Sequence, residues 1–246
     1  MPDTESFIDL LEHGDPAELT QVLTAHPRRV NTFLTQPAPH GNEQWMPMHF
    51  AARAGHLAAV ELMLEHGVHP DCRTRFTTPM HARQTPLHLA SAGGHVEVVQ
   101  CLLTARAEIE VRDALQRSPV WLAARHGQAQ VITLLSKRRA DLEARDVQQR
   151  TPLHASLLSS QNPFDAAAAA ALLEAGADPN ATCPKEPEGF TPLHRCVVLG
   201  AGALPVADEL LQRGADVNAA DPRNAQTPIG LAQEFGDSDF VALFTS

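Results

Sequence analysis

The amino-acid sequence predicts an all-α solenoid, a fold in which helix pairs stack side by side. Three observations predict it: a Pro-containing turn recurs along the chain, a short segment rich in small residues follows most of these turns, and a longer apolar segment comes next. The turn prolines are Pro47, Pro86, Pro119, Pro152, Pro192 and Pro228. Their spacings of 39, 33, 33, 40 and 36 residues fit a period of 33 with insertions, and a fixed period of this length is typical of repeat arrays.

Each part of the repeat has a physical reason. Proline in the first turn of a helix loses no hydrogen bond, because that N–H has no partner within the helix, and its φ is already helical. A preceding Thr or Ser is suited to capping the helix. Small residues such as Ala51 and Ala90 let the first helix approach its neighbours, while Val99 and Leu102 give the second helix an apolar face. One such pair cannot bury that face alone, so each pair must stack on the next.

The best copy of the repeat also shows the most specific motifs. It reads Thr85-Pro86-Leu87-His88-Leu89-Ala90, then Gly94-His95, then Leu102-Leu103, and later copies carry Gly176-Ala177-Asp178-Pro179-Asn180 and Gly214-Ala215-Asp216-Val217-Asn218. These motifs resemble the ankyrin repeat family, whose unit of about 33 residues opens with T-P-L-H-x-A. The resemblance implies an ankyrin-repeat solenoid of about seven helix-turn-helix units, with hairpin-like finger loops and degenerate terminal caps.

The resemblance covers nearly the whole chain, so we expect a single array over residues 1–246. The approximate units are 5–35 (cap), 45–83, 84–116, 117–149, 150–189, 190–225 and 226–246 (cap). The first and last units lack the T-P-L-H opening or its histidine, as expected where a repeat has a neighbour on one side only.

In this family the histidine of T-P-L-H forms hydrogen bonds within and between turns, which is the role we expect for His49, His88, His154 and His194. His66, His69 and Cys72 have ligand-like spacing, but a structural zinc site usually needs four ligands. We therefore expect no metal and no cofactor.

No enzyme motif is found in the sequence: GxSxG, HExxH, a P-loop, and GxGxxG after a strand are all absent. We therefore expect no catalytic residues and no enzymatic activity. The family also includes substrates of an asparagine hydroxylase that acts on the D-x-N turn, which leaves open whether Asn180 or Asn218 is modified.

Composition excludes several other classes of protein. A net charge of -10 argues against nucleic-acid binding, which needs a basic surface. No stretch approaches the roughly 20 apolar residues of a membrane span, and the acidic N-terminus does not read as a signal peptide. The four cysteines are widely spaced, which favours a reducing intracellular compartment, and we expect a cytoplasmic monomer.

Two arginines depart from the repeat pattern. Arg106 and Arg139 stand just past the second helix, where other copies have Gly67, Gly176 and Gly214. Glycine is suited to a left-handed conformation there, and other residues adopt it at a cost of roughly 1 kcal/mol. Either these two helix ends are shaped differently, or the backbone accepts the strain.

The candidate binding surface is predicted from insertions and arginines. Residues 27–44 and 71–83 extend two connections beyond the basic period, and insertions in repeat arrays often lie on the binding face. Tolerated loop extension explains them equally well. We predict that these fingers and the first helices contact another protein with an acidic surface, because arginine offers a planar fork for carboxylates. The predicted contact residues are Trp45, Arg53, Arg75, Phe76, Arg117, Trp121, Arg125 and Arg150.

Two alternatives stay open. Trp121 takes the place of the T-P-L-H histidine, so it either packs between adjacent turns or anchors a partner. The chain is predicted to be a protein-interaction module or scaffold, and the alternative is a stoichiometric inhibitor or antidote that blocks a partner enzyme. A scaffold accepts several partners, whereas an inhibitor has one.

Overall fold

The protein is described by a computed structural model that covers residues 4–38, 41–75, 83–158, 166–184, 190–221 and 224–245. Its regular structure consists mainly of short helices in pairs, as the repeat predicts. The chain forms two compact units, Met1–Pro119 and Val120–Ser246. In the part of the chain that is described, every helix is too short or too polar to cross a membrane.

Within its described residues, the first unit contains three helix pairs and a β-hairpin. Its helices are α1 Thr4–His13, α2 Pro16–Ala25, α3 Pro47–Ala54, α4 Leu57–Glu65, α5 Pro86–Gly93 and α6 Val96–Thr104, with a 3₁₀ helix over Pro27–Asn31. The first helices α1, α3 and α5 pack in a row, and the second helices α2, α4 and α6 form a row of their own. Phe7, Phe50, Met63 and Leu102 are fully buried between them.

The second unit repeats the same arrangement. Its helices are α7 Pro119–Arg125, α8 Ala129–Lys137, α9 Pro152–Ser156, α10 Ala167–Glu174, α11 Pro192–Leu199, α12 Leu204–Gln212, α13 Pro228–Phe235 and α14 Ser238–Thr245, with a 3₁₀ helix over Ala201–Ala203. The second helices α8, α10, α12 and α14 pack in sequence, and the first helices α9, α11 and α13 do the same. Ala168, Ala169 and Leu172 on α10 are buried, so this second helix packs with small residues as well as with leucine.

The extended connection before α3 forms a two-stranded hairpin. Strand β1 Leu34–Ala38 pairs antiparallel with β2 Gly41–Trp45. Gln44 on β2 also exchanges two backbone hydrogen bonds with Arg75, at 2.9 and 3.0 Å. The first two fingers of this unit therefore lie side by side, and residues 76–82 at the end of the second finger lie outside the described part of the chain.

The T-P-L-H histidines are buried and hydrogen bonded at both ring nitrogens, which confirms their predicted structural role. His88 Nδ1 lies 3.0 Å from Thr85 Oγ1, and its Nε2 lies 3.0 Å from the carbonyl oxygen of Arg117 just before the next turn. His154 and His194 make the same contacts with Phe190 and Gln226 one turn further on. Each histidine therefore ties its own helix start to the following finger.

The two arginines at glycine positions take up the left-handed conformation. Arg106 has φ of 66° and Arg139 has φ of 64°, close to the 78° of Gly67. The two helix ends therefore have the same shape as those that end in glycine, and the interpretation that the backbone accepts strain is confirmed. The strain costs roughly 1 kcal/mol per residue.

Candidate partner-binding surface

Seven of the eight predicted contact residues lie in the described part of the chain. Trp45, Arg53, Arg75 and Arg117 belong to the first unit, and Trp121, Arg125 and Arg150 belong to the second. Phe76 lies outside the described residues. The structure brings these residues together in small groups within each unit, and whether any of them contacts a partner stays a prediction.

Trp45 and Arg53 form one group where strand β2 of the first finger leads into α3. Trp45 is 3% exposed and packs against Phe50, with ring centroids 5.0 Å apart. The Arg53 guanidinium lies 4.6 Å above the Trp45 ring and forms an ion pair with Glu12 of α1. The indole is therefore largely covered from solvent, whereas the Arg53 side chain keeps 43% of its surface exposed.

Arg75 lies on the hairpin side of the second finger. Its main chain pairs with Gln44, and its guanidinium lies 4.2 Å from the centre of the Phe33 ring. Stacking on a ring leaves the N–H donors at the edge of the guanidinium plane available to a planar acceptor. Among the described residues no carboxylate forms an ion pair with the exposed Arg75 side chain.

Arg117 is committed to its own finger. Its Nε donates to Asp113 Oδ2 at 2.7 Å, and the Asp113 side chain is only 1% exposed. The other Asp113 oxygen accepts hydrogen bonds from the backbone N–H groups of Leu115 and Arg117, both at 2.9 Å. This pair fixes the turn at the finger tip, so the main role that the geometry gives Arg117 is structural.

The equivalent finger of the second unit uses Arg150 in the same way. Arg150 Nη2 lies 2.7 Å from Oδ2 of the buried Asp146, and its Cζ lies 5.6 Å from the centre of the Trp121 ring. Trp121 is 3% exposed, so the structure favours packing over partner contact for this residue. The structure therefore brings Trp121 and Arg150 together beside this finger.

Arg125 completes this group and is the cation in it that lacks a counter-charge. It lies half-buried at the end of α7, and burial followed by the charge of Arg150 lowers its pKa. Within the described part of the chain no ion pair or hydrogen bond of its guanidinium is present. Arg150 is paired with the buried Asp146, whereas Arg125 feels the charge of Arg150 without a carboxylate partner, which leaves local positive charge at the end of α7.

Sequence reasoning missed a second group in the same unit. A cavity of about 500 Å³ lies between α11, α13 and the last finger, and it is lined by Phe190, Arg195, Val198, Asp221, Asn224, Gln226, Leu231, Glu234 and Phe235. Val198 is 43% exposed and Phe235 57% exposed. Nε of Arg195 is buried, and no residue of the described chain accepts a hydrogen bond from it. The sequence carried a signal for this second group. Val198 follows Thr191 by seven positions, just as Arg125 follows Ser118, so the two residues occupy equivalent positions of the repeat.

Comparisons with known proteins agree with the helix pairs. A family model described as ankyrin repeats (3 copies) matches residues 10–113 and 87–183, and a model for a single ankyrin repeat matches residues 188–222. A rice protein (Oryza sativa subsp. japonica) described as probable E3 ubiquitin-protein ligase XBOS33 is 33% identical over 113 residues. That match covers 45% of this chain and 19% of the rice protein, so the chain corresponds to a minor part of that relative.

Among solved structures, the crystal structure of the ankyrin repeat domain of Bcl-3, described as a member of the IkappaB protein family, superposes with a TM-score of 0.73. The alignment covers 98% of this chain and 97% of that domain, at 21% sequence identity. At this level of identity the likeness concerns the fold alone.

Proposed function

The chain belongs to the ankyrin repeat family, and we propose that it is a non-enzymatic interaction module that binds another protein through its first helices and finger loops. Repeats of this family form protein-interaction modules, and in such a scaffold the variable surface residues determine the partner. We further propose that residues 1–246 act as one array, as a monomer in the cytoplasm.

The observation that carries the proposal is the uncompensated charge of Arg125. A half-buried guanidinium next to a second one is unfavourable, because burial removes water and the neighbouring cation repels it. A carboxylate from a partner would relieve both costs and would accept two parallel hydrogen bonds from the guanidinium fork. We therefore propose that the partner presents an acidic residue to the end of α7.

In the first unit, Arg75 offers a second contact of the same kind. Its guanidinium is supported by Phe33 and is exposed on the finger. Supporting the side chain on a ring reduces the conformational entropy that is lost on binding, which makes the arginine a better anchor. Phe76, the next residue, is proposed to add apolar contact area.

The proposal is tested by measuring partner affinity with single substitutions. Partners are captured from the native source with the full chain and identified by mass spectrometry, and their affinities are then measured for Arg75→Ala and Arg125→Ala. We expect each substitution to weaken binding roughly tenfold or more without lowering the melting temperature. Arg138→Ala, an exposed arginine after α8, is the matched control because it removes the same charge elsewhere. Unchanged affinity for both variants would reject this surface.

The captured set also separates the two functional classes. A scaffold should retain several partners that compete for Arg75 and Arg125. A single partner enzyme whose activity falls linearly to zero at one equivalent of this protein would instead support the inhibitor.

A further inference from the structure

A long groove lies between the second helices α4 and α6 of the first unit. Its volume is about 740 Å³, and it is lined by Leu57, Glu61, Leu64, Glu65, Glu97, Gln100, Cys101, Thr104 and Ala105. On each helix the lining residues recur at intervals of three and four, which places them on one face. None of them belongs to the first helices or fingers that carry the proposed partner surface.

The charges along this groove have one sign. Glu61, Glu65 and Glu97 are exposed, and the lining contains no Lys, Arg or His. None of the three carboxylates forms an ion pair or a side-chain hydrogen bond within the described part of the chain. The described lining of the groove therefore has unbalanced negative charge, which would repel nucleic acid and anionic lipid surfaces.

The floor of the groove is apolar. Leu57 and Leu64 are half-buried on α4, each about one turn from Glu61, and the half-buried thiol of Cys101 faces them from α6. Burial, followed by the charge of Glu61, raises the pKa of Cys101, so the thiol is protonated at neutral pH and behaves as an apolar group. An apolar floor with a charged rim is the usual anatomy of a surface that binds a peptide segment.

From this geometry we infer that the groove between α4 and α6 binds a basic amphipathic helix of a partner protein. The apolar side chains of that helix pack on Leu57 and Leu64, and its lysines or arginines reach the carboxylates of Glu61 and Glu97. A third helix laid between two parallel second helices continues the packing that already joins them. At 1.5 Å per residue, the nine residues of α4 give a length of about 13 Å, which matches about two turns of the bound helix.

This site is independent of the proposed surface on the first helices and fingers, and it has the opposite charge preference. The arginines of that surface attract carboxylates, whereas this groove attracts lysine and arginine. The two proposals can therefore fail separately, because no residue contributes to both.

The test uses a short amphipathic helical peptide of leucine and lysine as the probe and the full chain as the receptor. Two exposed ion pairs of the usual strength amount to a roughly threefold to tenfold loss of affinity when both are removed. We expect this loss for the double variant Glu61→Gln/Glu97→Gln. The matched control is Glu18→Gln/Glu174→Gln, which changes the net charge equally at exposed positions of α2 and α10. An equal loss in the control would show diffuse charge attraction and overturn the inference.

A second measurement locates the peptide. The same peptide carrying a chloroacetamide group should alkylate Cys101 faster than free chloroacetamide does at the same concentration, because binding places the reactive group beside the thiol that lines the groove. Peptide mapping by mass spectrometry measures this acceleration, which should fall in Glu61→Gln/Glu97→Gln. A peptide with glutamate in place of lysine should give no acceleration. Labelling of Cys101 by the lysine peptide no faster than by free chloroacetamide would overturn the assignment of the site.

A second copy of this chain is the alternative occupant, and the free protein tests it. Sedimentation of the unliganded chain should show the same species for the wild type and for Glu61→Gln/Glu97→Gln. A dimer that dissociates in the double variant would assign the groove to self-association and overturn a partner site.

Discussion

Acid should destabilise this protein well above the pH at which its carboxylates are protonated. Burial lowers the pKa of His49 and of His88 from 6.5 to about 4, and the same holds for His154 in the second unit. In the unfolded chain these rings bind a proton near pH 6.5, while in the folded chain they stay neutral until about pH 4. The unfolded state therefore binds more protons, and stability falls as the pH falls through this window.

The magnitude follows from the two pKa values. A histidine that titrates at 6.5 when unfolded and at about 4 when folded costs about 2 kcal/mol at pH 5 relative to about pH 7.5, and about 3 kcal/mol below pH 4. The first unit contains two such rings, His49 and His88, so its stability should fall by about 4 kcal/mol by pH 5. That is a large share of the 5–15 kcal/mol that is typical of a folded domain.

The assay is urea unfolding, followed by circular dichroism and by tryptophan fluorescence, between about pH 7.5 and pH 5, above the usual range of carboxylate titration. His88→Gln removes one titrating ring. Its stability at pH 7.5 is lower, because the contacts with Thr85 and Arg117 are lost, but its pH dependence should shrink by about 2 kcal/mol. Gln21→Ala, which removes no ionisable group at an exposed position of α2, is the control and should leave the wild-type slope unchanged. Parallel curves for wild type and His88→Gln would refute the reasoning.

Substitutions at three further positions test the backbone and the finger tips. Arg106→Gly should raise the free energy of unfolding by about 1 kcal/mol, because glycine adopts a φ of 66° without strain. Arg106→Ala keeps the strain and should not raise it. If urea unfolding showed equal gains for both variants, the gain would come from the lost charge. Gly176→Ala should lower the free energy of unfolding by about 1 kcal/mol, because alanine is strained at φ of 94°, and an unchanged urea midpoint would contradict this. Asp113→Ala should cost about 3 kcal/mol, because two backbone N–H groups and the Arg117 guanidinium lose their acceptor. A loss under about 1 kcal/mol by thermal or urea unfolding would mean that the finger tip does not depend on this carboxylate.

The helix pairs were predictable because their signals are local. Proline at the first helical position, small residues on the first helix and glycine at a left-handed helix end each act within a few residues, and together they set the period. Trp121 was ambiguous from sequence, because an aromatic residue in the histidine position fits both packing and binding. Its 3% exposure follows from the neighbouring elements that cover it.

Whether an arginine is paired within the chain or available to a partner depends on contacts that the repeat pattern does not describe. Arg117 and Arg150 are predicted contacts like Arg125, yet each of these two is paired with an aspartate four residues earlier. The spacing of four residues is visible in the sequence. Opposite charges four residues apart are expected to meet only on a helix, however, and these residues lie on finger turns. Burial of the aspartate, which makes the pair strong, is a property of the folded chain.

The two proposed surfaces together bear on the choice between scaffold and inhibitor. An inhibitor needs one surface that fits one active site, and charge elsewhere on it serves only solubility. Among the described residues, Arg75 and Arg125 lack a counter-charge on the fingers and first helices, and the glutamates above the apolar floor between α4 and α6 lack one as well. Because the two surfaces share no residue and prefer partners of opposite charge, an acidic and a basic partner should bind without competing. A ternary complex should form, and it should lose only the acidic partner with Arg125→Ala and only the basic partner with Glu61→Gln/Glu97→Gln. This result would establish the scaffold, whereas mutual exclusion of the two partners would contradict it.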